Sequence, residues 1–441
     1  MSNNVKQRDV SSKMRAAGPS EEIAVKFILR ALHHKNYRLF FGGQSVSLIG
    51  TWMQQIAMSW LVYRLTNSAL LLGIVGFSSQ IPVFLLASIA GVYADRWNRH
   101  RMLVATQTLS MIQALILAFL TLYGAIQVWH IIALSIFIGV INAFDMPTRQ
   151  SFIVQIVDKA EDLGNAIALN SFMFNGARLI GPAIAGILIG LLGEGVCFLI
   201  NGLSFLGIII ALLAIKVPER KKVGPRSRLW QDLKEGYTYA FGFAPTRYIL
   251  LQLGLMSFMG MAYAVLMPIF AKDILHGGPH TLGFLMAASG VGALTGAGYL
   301  ASRKSILGLG RIIAYASFIF GVGIIAFSLS KILIVSLSMM FLTGFGMMVQ
   351  IASGNTILQS IVEEDKRGRL MSIYTMALIG MAPFGNLFSG TLASRIGAPE
   401  TLILSGLSCI IGSIFFVMKL PHIRKGVRPI YIKMGIISGL E

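Results

Sequence analysis

Residues 102–144, MLVATQTLSMIQALILAFLTLYGAIQVWHIIALSIFIGVINAF, contain no Asp, Glu, Lys or Arg. A helix that crosses the hydrocarbon core of a bilayer needs about 20 predominantly apolar residues. This stretch is too long for one crossing and sufficient for two, so it must fold back, and Tyr123-Gly124-Ala125-Ile126-Gln127 offers the turn. Charge-free runs continue on both sides of it. Upstream lie Leu39 to Tyr63 and Leu65 to Ala94; downstream come Leu163 to Leu192, broken only by Arg178, and Gly195 to Ile215. Six more follow: Tyr248 to Ala271, Thr281 to Ser302, Ile312 to Ser330, Ile332 to Val362, Leu370 to Ser394 and Thr401 to Met418. The expectation is an all-α membrane protein with twelve transmembrane helices. Composition agrees, because 12% of the 441 residues are charged where soluble domains carry roughly 25%.

Lys and Arg are retained on the cytoplasmic side of a membrane. Here they crowd the N-terminal tail, the even-numbered connections and the C-terminal tail, while the odd connections hold only Arg64, Lys272, Lys331 and Arg395. Both termini are therefore expected in the cytoplasm. The same distribution explains the net charge of +19 without nucleic acid, because the basic face meets anionic lipid headgroups. Residues 1–36 read as a cytoplasmic tail, not a cleaved signal, with a basic amphipathic helix from Glu21 to Arg38. His33 and His34 read as a solvated pair. Cys197 and Cys409 lie within spans and imply neither a disulfide framework nor a metal site.

The long polar interruption from Lys216 to Arg247 divides the spans six and six. The domains expected are residues 37–216 and 248–420, two six-helix bundles, joined by a linker over 217–247 and followed by a tail over 421–441. Within the linker, Ser227 is placed to cap an amphipathic helix carrying Trp230, Leu233 and Tyr237 on one face. The halves resemble each other weakly. Ser171 to Pro182 aligns with Ser372 to Pro383, and Gly91-Val-Tyr-Ala-Asp95-Arg96 with Gly298-Tyr-Leu-Ala-Ser302-Arg303. Internal repeats of this kind place a transporter's substrate site at their interface.

The segment from Gly91 through Asp95, Arg96, Asn98, Arg99 and His100 to Arg101 resembles the loop between spans two and three of the major facilitator superfamily. It departs from that pattern at Asn98, where glycine is usual and where Asn tolerates left-handed backbone, and at His100. Physically, Gly91 permits close helix approach and Asp95 suits the positive N-terminal end of a helix. The resemblance places that helix at the start of span eleven, near Arg369, with Arg99 held by a carboxylate for which Asp145 is the candidate. A plain polar turn is the competing account.

Further motifs are similar to those of the enterobactin-exporter-like efflux branch. They are Gly43 to Ser47 with Trp52 to Gln55, Asn142 to Gln150, Asn165 to Ser171, Trp230 to Tyr237, and Arg367 to Ser372. The resemblance runs from about Asn36 to Met418 and implies a bacterial inner-membrane exporter of drugs or siderophores, coupled to protons and acting as a monomer. Gly176, Gly181, Pro182 and Gly186 resemble a fifth-span antiporter motif. They suit a pliable packing seam, although such glycines also serve packing alone.

Ionisable groups at membrane depth are functional candidates. Arg178 shares a polar stripe with Asn175 and Asn170, suited to an anionic substrate, the alternative being a structural arginine paired with Asp145. Gln54, Gln55, Asn142, Arg149, Asn355, Gln359 and Asn386 complete the candidate pathway, although single amides also join helices. Asp145 is the expected proton site. No phosphate-binding loop or nucleophilic constellation occurs, so no enzyme activity, cofactor or metal is expected. A facilitator or importer of a metabolite, sugar or lipid, and a non-transporting receptor or scaffold, remain the alternatives.

Overall fold

The computed structural model describes residues 30–157, 159–215, 229–303, 305–364 and 366–437. A short 3-10 turn, Arg30–His33, leads into α1 (Lys35–Thr66), α2 (Ala69–Arg96), α3 (Arg99–Leu122), α4 (Val128–Ile156), α5 (Ala160–Leu192) and α6 (Glu194–Ala214). After α7 (Leu229–Gly242) come α8 (Ala244–Ile274), α9 (Pro279–Ala301), α10 (Leu309–Leu329), α11 (Leu333–Ile361), α12 (Arg367–Ile396) and α13 (Ala398–Lys433). Among the described residues, eleven helices are long and apolar enough to cross a bilayer. The remaining long helix, α1, has 32 residues, or about 48 Å of rise at ~1.5 Å per residue, and is more polar because of Gln44, Gln54 and Gln55.

The chain folds back between α3 and α4 where Tyr123 to Gln127 stand, with Gly124 at φ 71°. Both halves reverse direction by the same device. Gly193, between α5 and α6, has φ 83° and ψ 169°, and Gly397, between α12 and α13, has φ 98° and ψ 157°. This backbone region is essentially reserved for glycine, so one residue makes each hairpin.

α1 packs on α5 and α6, α2 on α4, and α3 on α4 and α6; in the second set α11 packs on α9 and α10, and α13 on α8 and α10. The two sets meet chiefly where α2 crosses α12 and α5 crosses α9. At the first crossing a Cβ on Gly73 would stand 2.9 Å from Gly390 Cα; at the second, one on Gly186 would stand 3.0 Å from Gly283 Cα. Absent side chains let the backbones touch, which is how membrane helices associate when lipid supplies no hydrophobic drive.

Several details depart from the sequence reading. His34 is not a solvated residue: its Nε2 lies 2.9 Å from Asp162 Oδ2 at the start of α5. Arg30 Nε reaches the same carboxylate at 2.8 Å, and Tyr37 donates to Ala166 O at 2.8 Å. The residues before α1 thus strap it to α5. Of the amphipathic helix expected over Glu21 to Arg38, residues 21–29 lie outside the described residues, and Lys35 to Arg38 open α1. α13 continues through Pro421 and Pro429 to Lys433 with Leu420, Ile423 and Val427 buried. Ser227 and the side chains of Trp230 and Leu233 lie outside the described set; α7 packs on α12, with Lys366 Nζ 5.1 Å from the Tyr239 ring, while Tyr237 is exposed.

Candidate functional site

At the end of the molecule where α1 and α8 finish, the two helix sets are joined by side chains. The Tyr63 hydroxyl donates to Asp273 Oδ2, and Lys272 Nζ donates to Asn67 Oδ1 at 2.7 Å while lying 5.4 Å from the Tyr63 ring centre. Asn67 ends α1 in the left-handed conformation, φ 47°, which aims its amide across the junction. Arg64, beside it, forms a two-point pair with buried Glu194 at 2.7 and 3.2 Å, tying α1 to α6. The sequence reading passed over these groups because Asp273 and Arg64 sit at span margins.

At the opposite end stands the α2–α3 turn. Asn98 has φ −67° and ψ 109° and its side chain accepts from Arg101 N at 3.1 Å. It is the N-cap of α3 and not the left-handed residue expected. His100 Nε2 lies 2.6 Å from Leu212 O of α6. The space around Gly91 is open, as it is around its counterpart Gly298, so neither glycine makes a close helix approach here. The side chains of Asp95 and Arg96 lie outside the described residues. Arg101 lines a groove of about 890 Å³ along α2, α3 and α4 with Tyr93, Trp97, Thr106 and Phe144.

Asp145 is buried, 4% exposed, and accepts hydrogen bonds from Thr106 Oγ1 at 2.8 Å and Gln107 Nε2 at 2.7 Å. Its charged partner is Arg149 Nε at 3.5 Å, one helical turn away. Arg178, one of the partners weighed from sequence, reaches elsewhere, to Met347 and Trp52. Asn142 and Arg149 are half-buried on α4, and Asn170 is half-buried on α5.

Gln54 does not face a passage. Its Nε2 donates to Gln113 Oε1 at 2.9 Å and its Oε1 accepts from Asn201 Nδ2 at 2.7 Å, so it joins α1, α3 and α6 inside the first bundle. Gln55 is exposed. It stands on the flank of α1 between Met58, which meets Ser135 of α4, and Trp52, which meets Phe174 of α5 at 5.8 Å. Asn386 is buried at the α2–α12 crossing, and Gln359 donates to Asn355 Oδ1 on its own helix at 2.9 Å.

Along α5, Gly181 is wedged against α1, where a Cβ would stand 2.5 Å from Trp52 Cβ. Pro182 O would be 2.5 Å from a Cβ on Gly283. The space at Gly176 is open, so the seam comprises Gly181, Pro182 and Gly186. Asn175 Nδ2 turns back to Ser171 O at 2.8 Å.

Arg178 reaches between the bundles. Its Cζ lies 5.9 Å from the Trp52 ring centre and its Nη2 lies 3.7 Å from Met347 Sδ of α11. Elsewhere between the helix sets the contacts are aromatic: Phe384 of α12 packs edge-on against Phe84 of α2 at 5.4 Å, and within the second set Phe388 packs against Phe258 of α8 at 5.3 Å. Two π-helical turns, Met256–Gly260 in α8 and Met376–Gly380 in α12, bond to each other through Ser257 Oγ to Leu378 O at 2.6 Å. Such turns mark places where a helix deforms, and no residue pattern announced them.

Comparison with known proteins fits this arrangement. A sequence profile described as a transmembrane secretion effector matches residues 28–429. The staphyloferrin A transporter of Staphylococcus aureus (strain NCTC 8325 / PS 47) is 26% identical, over 86% of this chain and 96% of its own. The multidrug efflux pump Tap of Mycolicibacterium fortuitum is 23% identical, over 84% of this chain and 92% of its own. Among solved structures, a bacterial homologue of the human lysosomal transporter Spinster, inward-facing and occupied, superposes with a TM-score of 0.70. It is 14% identical and covers 93% of this chain and 99% of its own.

Proposed function

This chain belongs to the transmembrane secretion effector family of the major facilitator superfamily, and from that premise we propose that it is a proton-coupled exporter of amphipathic small molecules, siderophores or drugs, working by alternating access. It is a multi-pass membrane transporter whose relatives include a staphyloferrin A transporter and a multidrug efflux pump. In the proposed topology α1 is the twelfth span, both termini are cytoplasmic, residues 37–216 and 248–420 form the two bundles, and one chain is the working unit.

The observation that carries the reading is the junction of side chains that joins α1 to α8 across the two bundles at one end, beside crossings where backbones of the two sets touch at α2 with α12 and α5 with α9. With basic loops inside, the joined end faces outward and the end with the α2–α3 turn faces the cytoplasm. The paired crossings at Gly73 with Gly390 and Gly186 with Gly283 supply smooth bearings for a rocking motion. Transport in one direction then requires substrate and proton to bind the two facings with different free energies.

Asp145 is the proposed proton site. It is a buried carboxylate that accepts a hydrogen bond from Thr106, a residue lining the groove along α2, α3 and α4. Gly91, Asp95, Arg96, Arg99 and Arg101 form the proposed cytoplasmic gate. Asp95→Asn is expected to lower efflux while leaving insertion intact.

The test compares deletion, wild-type and overexpressing cells for drug accumulation and growth, and for siderophore secretion under iron limitation. An exporter lowers accumulation or raises secretion in step with its expression. Uptake that rises with expression would make the protein an importer.

A further inference from the structure

The Arg178 guanidinium is a charge within an apolar span that meets no carboxylate among the described residues. Elsewhere in the bundles arginines meet acids: Arg64 meets Glu194 at 2.7 Å and Arg149 meets Asp145 at 3.5 Å. Among the described residues, the polar and aromatic partners of Arg178 are the Met347 thioether and the Trp52 ring. Neither carries the negative charge that offsets the cost of a cation in a low-dielectric site. A cation–π contact contributes about 0.5–2 kcal/mol, well below the several kcal/mol of desolvating an ion.

The position of this charge decides how the deficit is met. Arg178 extends from α5 of one bundle to α11 of the other, with α1 beside it, which is where repeat-built transporters bind their cargo. A fixed acid there would lock the bundles together through every facing. An anion that arrives with the substrate offsets the charge only when cargo is present. The guanidinium fork is matched to a carboxylate, and the Trp52 ring and Met347 thioether beside it suit an apolar body.

We infer that Arg178 is the anion receptor of the central site and that the cargo is a carboxylate-bearing amphipath. This rests on the exporter reading only in taking the space between the bundles as the passage. Trp52 and Met347 act as positioning residues that hold the guanidinium between the two bundles.

The test uses the full chain in phosphatidylcholine nanodiscs and three matched probes, 1-naphthoate, 1-naphthalenemethanol and 1-naphthylmethylammonium. Equilibrium binding and the thermal unfolding midpoint are read for wild type, Arg178→Gln and Arg178→Lys. Naphthoate is expected to bind wild type at least tenfold more tightly than the ammonium probe and to raise its midpoint. In Arg178→Gln that preference disappears while alcohol binding stays the same, and Arg178→Lys retains part of it. The unliganded Gln variant is expected to melt no lower than wild type, since it removes an uncompensated charge. A Gln variant that melts well below wild type with all three probes weakened equally identifies a structural arginine and overturns the inference. So does a wild type that does not prefer naphthoate. A preference abolished in phosphatidylglycerol discs assigns the receptor to lipid and overturns a soluble cargo. Binding is measured without a gradient, so a failure of the exporter reading, seen as no directional transport in vesicles, is separable from a failure here.

Discussion

Tyr63 of α1 donates its hydroxyl hydrogen to Asp273 of α8, a bond that joins the two helix sets at one end of the molecule. A hydrogen bond to a charged group is worth about 1.5–3 kcal/mol, enough to shift a two-state equilibrium by about tenfold or more. Tyr63→Phe and Asp273→Asn are therefore expected to favour the state open at that end. A cysteine at Val265, which packs 3.2 Å from where a Gly76 Cβ would stand, reports the opening. Cys197 and Cys409 are buried and leave little background. Labelling by an impermeant maleimide added from outside should rise several-fold in either variant, and unchanged labelling would remove the latch from the cycle.

The bearing at the α5–α9 crossing makes opposite predictions for two glycines of one helix. A Cβ at Gly186 would stand 2.8 Å from Pro279 O, whereas nothing lies within 4 Å of one at Gly176. Gly186→Val should lower efflux by tenfold or more at equal membrane expression, and Gly176→Ala should leave it within twofold. Equal effects of the two would mean that the crossing is not a moving contact.

Asp145→Asn preserves shape and Thr106 contact while removing the charge that Arg149 faces at 3.5 Å. The expected outcome is efflux from everted vesicles that no longer responds to an imposed proton gradient, with substrate binding retained. A full response in that variant would exclude Asp145 as the coupling group.

Asn98 caps α3 through its side chain, so Asn98→Ala should cost about 1 kcal/mol and Asn98→Gly only a few tenths, read as midpoints of thermal unfolding in detergent. A stabilised Gly variant would point instead to left-handed backbone at this turn.

Arg178 was legible as a candidate from residues alone, because a lone charge in an apolar run is visible without coordinates. Gln54 and Gln55 were not separable, since adjacent helical residues differ by about 100° in direction and only packing reveals which one faces neighbouring helices. Tyr63, Asp273, Lys272 and Asn67 were not legible as one cluster because polar groups at span ends are ordinary in sequence. Their meaning comes from two helices that are distant in the chain and finish side by side.

The sequence by itself determined that apolar runs cross a bilayer repeatedly, since transfer into lipid depends on composition over about 20 residues and on nothing remote. It also carried the lone arginine. The pairing of Asp145 with Arg149, the open space around Gly91, the linked π-helical turns and the end at which Tyr63 meets Asp273 were decided only by tertiary structure. Each is a relation across helices, set by which backbones approach closely enough for side chains to meet.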